Sequence, residues 1–183
     1  MISIVLLIIL AWSFYIGYSR GLVLQAFYGF SSVLALIIAA GNYKSLASIF
    51  YLWVPFATAT EGASTYYFDS KYLFELDKIF YAGLAFLAIY MVVYAIMRFI
   101  GIFVHLLKFV SPDTTMMNVI SGGISVIVTL ISIQMVLTVV ATIPLATVQN
   151  TLHDSWLANG IIQYTPIMSS LLKNWWVTKV VGG

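Results

Sequence analysis

His153-Asp154-Ser155 carries the three side chains of a hydrolytic triad on consecutive residues. Neighbours on a helix point about 100° apart, so these three cannot converge on one reacting atom. His153 therefore reads as a surface or capping residue near a helix start. A metal centre has as little support. His105 and His153 are the only histidines and cysteine is absent, so a metal would have to draw carboxylates from separate segments. Without cysteine there is also no disulfide and no thiol nucleophile. An ion or proton pathway would leave Asp, Glu or Lys inside apolar runs. The polar residues found there are Gln25, Gln134 and several Ser and Thr. Gln134 has two readings: an interhelical hydrogen bond of about 1 kcal/mol, or a pore-lining group. No catalytic, cofactor-binding or metal-ligating residue is expected, and neither is an enzyme.

The elements that hold these residues are set by composition. Of 183 residues, 62% are hydrophobic and 8% charged, and mean hydropathy is +1.04. A water-facing surface cannot be covered with so few charges, so the class is all-α integral membrane. The eight Lys and Arg are scattered singly, which argues against nucleic acid. A hydrocarbon core of about 30 Å needs about 20 apolar residues in a helix. Four segments qualify: 2–19, 22–41, 79–98 and 119–143, the last ending at Pro144. Together they make one membrane domain, 1–183. Residues 1–19 carry no Lys or Arg ahead of the apolar run, so they read as a retained helix rather than a signal peptide. No internal repeat is visible, and an inverted-repeat transporter is unsupported.

Between the second and third spans, 42–78 holds a short apolar run, "IFYLWVPFA" (49–57), interrupted by Pro55. It is too short to cross and reads as an interfacial or re-entrant segment, or as a loop packed on the end of the bundle. Trp53 and its neighbouring tyrosines suit the headgroup level. "FIGIFVHLLKFV" (99–110) continues the third span as a helix leaving the membrane or lying along it. His105 and Lys108 share a face there, and Ser111-Pro112 stops it.

The tail, 145–183, is not a fifth span. "TLHDSWLANG" (151–160) reads as one short helix, with Thr151 and Asp154 at capping spacing and Gly160 ending it. "PIMSSLLKNWWVTKV" (166–180) is amphipathic. Ile167, Met168, Leu171, Leu172, Trp175 and Trp176 take one side, while Ser169, Ser170, Lys173, Asn174 and Thr178 take the other. Thr165 can cap it, and Pro166 fits its first position. The apolar side needs an interface, either lipid or the bundle itself. Trp175, Trp176 and Lys173 are its interfacial candidates.

Arg20 is the only charged residue between Met1 and Tyr43. At the bilayer centre it would cost about 2.5–3.5 kcal/mol on insertion scales, and at a helix end little. Because 1–19 and 22–41 are each long enough to span, Arg20 belongs in the turn of a tight helical hairpin, at the headgroups. The rival is a bent helix pair with Arg20 facing a polar cavity. Ser13, Gly17 and Gly21 recur at i, i+4 and i+8, and 17–21 is a G-x-x-x-G. Ser121, Gly122, Gly123 and Ser125 form a second small-residue set, and Ala82, Gly83, Ala85 and Ala88 a third. Such residues let helix backbones approach closely in lipid.

"GYSRGLVLQAFYGFSSVLALIIAAGNY" resembles the N-terminal signature of the colicin V production protein family, in which an apolar helix ends in G-x-x-R-G and a second begins at once. "TTMMNVISGGISVIVTLI" (114–131) looks like that family's fourth-span start, and "YTPIMSSLL" (164–172) like its Ser-Pro-containing stretch near the C-terminus. Val119, Val126 and Thr129 depart from it, standing where Arg, Gly and Arg are common. The long 42–78 segment and the tail look like Gram-positive members. The resemblance implies a multi-span protein of the bacterial cytoplasmic membrane, an accessory to the production or export of a peptide toxin and to envelope physiology.

Sidedness is finely balanced. Arg20, Arg98 and Lys108 fall on one side, and Lys44, Lys71, Lys78, Lys173 and Lys179 on the other. The bare count prefers the second set inside. The shortness of the Arg20 turn, and related domains that look to be fused to proteases outside the cytoplasm, favour both termini outside. The expected partners are the lipid bilayer and either a second copy or other envelope proteins. A subunit of an oligomeric channel or transporter is the alternative.

Overall fold

A computed structural model describes residues 1–56, 65–106, 114–166 and 168–181. The order is α1 (Ile2–Arg20), α2 (Leu22–Trp53), a 3-10 turn (Ser70–Glu75), α3 (Leu76–Leu106) and α4 (Thr115–Ala141). Then come α5 (Ala146–His153), α6 (Trp156–Tyr164), α7 (Met168–Leu172), a π-helical turn (Lys173–Thr178) and α8 (Lys179–Val181). Among the described residues, α1 to α4 are long and apolar enough to cross a membrane. The expected all-α integral membrane class with four spans holds. Glu61, Lys108, Asp113, the Ser111-Pro112 stop and Ile167 lie outside the described residues, as does the side chain of His105.

The break between α1 and α2 is a single residue. Gly21 adopts φ 83° and ψ 157°, a region open in practice only to glycine. The chain reverses there, and Arg20 stands as the last residue of α1. The turn is as expected, but the packed hairpin is not. The long partner of α1 is α4, and the long partner of α2 is α3. α4 also touches α2 and α3, so it occupies the centre of the bundle.

The α1–α4 seam explains the pairing. Ser121 Oγ donates to Gly17 O across 2.5 Å. Ser13 Oγ donates to Ser125 O at 3.0 Å and shares a hydrogen bond with Thr129 Oγ1 at 2.6 Å. A Cβ on Gly17 would meet Ser125 Cβ and stand 2.9 Å from Ser121 O. One on Gly122 would meet the Phe14 ring at 2.6 Å. Gly123 is a correction: nothing lies within 4 Å of its would-be Cβ, so it takes no part in close packing.

The α2–α3 half buries Ala35, Ala39 and Tyr43 against Ala82, Ala85, Phe86 and Tyr90. Its polar tie is Ser32 Oγ with Tyr90 Oη, 2.8 Å. The run 49–57 needs a second correction. Its first five residues, 49–53, are neither re-entrant nor a loop, because α2 continues through them to Trp53. At 1.5 Å per residue this helix is about 48 Å long, well beyond the hydrocarbon. Val54, forced extended by Pro55, ends it, and Tyr81 Oη donates to the freed Val54 O at 2.6 Å. α3 likewise runs past residue 98 to Leu106, as expected of 99–106; the rest of the 99–110 run lies outside the described residues.

If the seam is as described, Gly17→Leu lowers the melting temperature of the detergent-extracted protein by the equivalent of about 1–3 kcal/mol, the usual scale of overpacking. Gly123→Leu leaves it unchanged. Equal melting curves by circular dichroism for the two variants would refute the α1–α4 seam.

Candidate functional site

The tail closes one end of the bundle. Pro144 ends α4, and Gln149 ties the chain back. Its Nε2 donates to Ala141 O at 2.8 Å and Ile143 O at 2.9 Å, and its Oε1 accepts from Tyr66 N at 3.1 Å. A buried amide satisfied on both atoms joins three segments. Sequence reasoning missed it, because Gln149 sits in a polar stretch that resembles any exposed turn.

The segment 151–160 is not one helix. Ser155 breaks it: Ser155 Oγ accepts from Ala158 N at 3.4 Å and so caps α6. The same hydroxyl meets Ser3 Oγ at 2.8 Å, fixing the start of α1. Gly160 lies inside α6 with open space around it. His153 is exposed and stacks on Tyr66, ring centres 4.3 Å apart. The three triad letters thus serve as a stacking surface, a helix end and a cap.

The amphipathic stretch packs on the bundle, which decides between the two interfaces open to it. Met168, Leu172, Trp176 and Val177 are buried with the α2–α3 core. Trp176, 1% exposed, lies over Gly83, whose would-be Cβ stands 2.9 Å from the indole. It is a core residue, not an interfacial one. Trp175 is half-buried and stacks on Phe86 at 5.4 Å. Tyr43 Oη donates to Trp175 O at 2.7 Å, and Lys44 Nζ to Lys179 O at 3.0 Å. Lys173 is exposed. Trp53, 81% exposed, ends α2.

Between the tail, the C-terminal part of α4 and the 67–72 segment lies a cavity of about 210 Å³, whose lining includes Tyr67, Asp69, Thr138, Ser169, Lys173 and Trp176. Gln134 adjoins it. This side chain is fully buried, and its Nε2 donates to Ser169 Oγ at 2.7 Å. Ser169 Oγ in turn donates to Ile162 O at 3.0 Å. The interhelical bond expected of Gln134 is therefore made, with the tail as partner. Three buried polar atoms here have no partner: Gln134 Oε1, Tyr67 Oη and Trp176 Nε1. Burial pushes the Tyr67 hydroxyl pKa above its ordinary value, so at neutral pH it remains a donor. Unmet buried groups of this kind cost about 1–3 kcal/mol each.

The Thr138 and Ser169 hydroxyls of the cavity wall are both engaged: Thr138 Oγ1 donates to Gln134 O at 2.8 Å, and Ser169 Oγ donates to Ile162 O. Among the described residues no cluster of three metal-ligating side chains occurs. At the other end of the bundle, Arg20 and Arg98 meet over the ring of Tyr28, 5.4 and 5.0 Å from its centre. Gln25, on the same helix as Tyr28, is buried with its Oε1 unpartnered.

Fold and site together define an all-helical multi-span membrane protein in which several in-span polar groups join helices. A family model described as colicin V production protein matches residues 2–166. The chain belongs to that family, as the resemblance around Arg20 implied. It is also similar to the uncharacterized transmembrane protein YshB of Bacillus subtilis (strain 168), 28% identical over 177 residues, covering 96% of this chain and 97% of the relative. No solved structure matches.

Trp176→Ala should remove about 3–5 kcal/mol of stability, the range for an emptied aromatic core site. It should also speed amide exchange across 168–181. Lys173→Ala should do neither. Unchanged protection of the tail in Trp176→Ala would show that the indole is not its anchor.

Proposed function

We propose that the protein is a non-enzymatic, multi-pass accessory factor of the bacterial cytoplasmic membrane, serving the production or export of a peptide toxin and envelope physiology. Family membership supports the setting. The observation that carries the scaffold reading is how the in-span polar groups are used. Ser13 bonds both Ser125 and Thr129, Ser121 bonds Gly17 O, and Ser32 and Ser132 both bond Tyr90. Gln134 bonds Ser169. Groups spent on helix seams pack a bundle, whereas a conducting pathway needs them facing a lumen.

Partners, whether a second copy or other envelope proteins, would dock at the overhanging end of α2 around Trp53 and on the tail around Lys173. Both termini lie outside the cytoplasm in this reading, and the Arg20 turn faces inward.

In-cell crosslinking with mass spectrometry should join Lys44, Lys71, Lys78, Lys173 or Lys179 to other envelope proteins. Crosslinks confined to the chain itself would remove the accessory role. Purified protein in liposomes should pass no small solute. A flux abolished by Gln134→Leu would replace the scaffold with a channel subunit.

A further inference from the structure

The two arginines of this chain are Arg20 and Arg98. They lie far apart in sequence, on α1 and α3, yet both guanidinium groups lie over the same ring. Their carbons are 5.4 and 5.0 Å from the centre of Tyr28, and Arg98 is also 5.8 Å from that of Tyr94. The cations are therefore separated by no more than the two Tyr28 distances together. The ring itself is buried. Its place depends on Gly101 of α3, where a Cβ would stand 2.5 Å from Tyr28 Cε1 and 2.8 Å from its hydroxyl. Gly21 fixes Arg20 at the turn, and Gly101 lets Tyr28 slide beneath Arg98.

Two like charges over one ring repel, and no carboxylate among the described residues faces them; Glu61 and Asp113 lie outside those residues. Asp69, Glu75, Asp77 and Asp154 are at the opposite end of the bundle. The ion pairs formed by the described residues, Lys71–Asp69, Lys78–Glu75 and His153–Asp154, are all there. A ring face attracts a guanidinium without using its N–H donors. Those donors form a planar fork that fits the oxygens of a phosphate group. The pair also stands at the end of the spans, where headgroup phosphates lie.

We propose that Arg20 and Arg98, spaced by Tyr28, form a binding site for one phosphate group, carried by an anionic phospholipid headgroup or free in solution. Tyr28 and Gly101 are positioning residues. The site is separate from the tail cavity and independent of the accessory role proposed above.

The test is native mass spectrometry of the full chain in neutral detergent, titrated with phosphatidylglycerol, with phosphatidylcholine, and with inorganic phosphate as competitor. Phosphatidylglycerol should be retained in preference to phosphatidylcholine. At about 1 kcal/mol per cation near a membrane surface, Arg98→Gln should weaken retention about fivefold and Arg20→Gln/Arg98→Gln about twenty-five-fold. Arg98 is exposed, so Arg98→Gln should keep the wild-type circular dichroism spectrum and serves as the decisive variant. Loss of phosphatidylglycerol on adding millimolar phosphate would support the site with free phosphate as its ligand. Persistence would support it with the lipid as ligand. Equal retention of the two lipids, or full retention by Arg98→Gln, would overturn the proposal.

Discussion

In lipid an apolar side chain gains nothing by exchanging an acyl neighbour for another helix. What selects one helix pairing over another is how closely two backbones approach and which polar groups they satisfy. The contact of Gly17 with Ser121 and Ser125 does both. Hydrogen there admits α4 to the backbone of α1, and the approach lets Ser121 reach Gly17 O. Ser13 then falls beside Ser125 and Thr129 one turn further on. With α1 held along α4, the turn at Gly21 sends α2 along the other side of α4, where α3 covers it. Each later pairing follows from that approach.

The second half solves a different problem. At the tail end, α2 and the start of α3 present an apolar face around Tyr43, Gly83 and Phe86 that needs cover. The tail provides it. Trp176 fills the hollow above Gly83, and Tyr43 and Lys44 cap the tail's backbone carbonyls. The π-helical turn at Lys173–Thr178 accompanies the consecutive burial of Trp176 and Val177. The price is a set of buried polar atoms, Trp176 Nε1 and Gln134 Oε1 among them, that the packing leaves unmet. A purely structural lid could have used leucine and phenylalanine at these places.

The spans, the one-residue turn at Arg20 and the small faces of α1 and α4 were legible because each depends on local chemistry: hydropathy over about 20 residues, a charge between two such runs, glycine spacing. What was not legible depends on partners. Gly17 says that something comes close, but not that it is α4 rather than α2. Gly122 and Gly123 look alike in sequence, and only the first faces Phe14. The run 49–57 looked separate because charged Lys44 and polar Asn42 interrupt hydropathy, though neither interrupts a helix. Ser155 and Gln149 act through Ser3, Tyr66 and the end of α4, contacts invisible to spacing. The tail's apolar side was plain, but its choice of bundle over lipid turned on Gly83, 93 residues before Trp176 in the chain.

The two ends of the bundle follow opposite rules. At the tail end, carboxylates and lysines are interleaved and the long segments fold back on the helices. At the Arg20 end, α1 passes to α2 through one residue, and among the described residues no carboxylate stands beside the charge. A serine or asparagine in that place would satisfy the turn, and a lysine would supply the charge. Neither would explain the geometry seen. Tyr28 comes from a turn and a half inside α2, Arg98 from α3, and Gly101 gives up its side chain so that the ring can lie between them. A guanidinium is the side chain that can use a ring face and still keep its donors. The arginine is therefore specified by the ring, and the ring by a glycine on a third helix, a dependence that no ten-residue window around the turn contains.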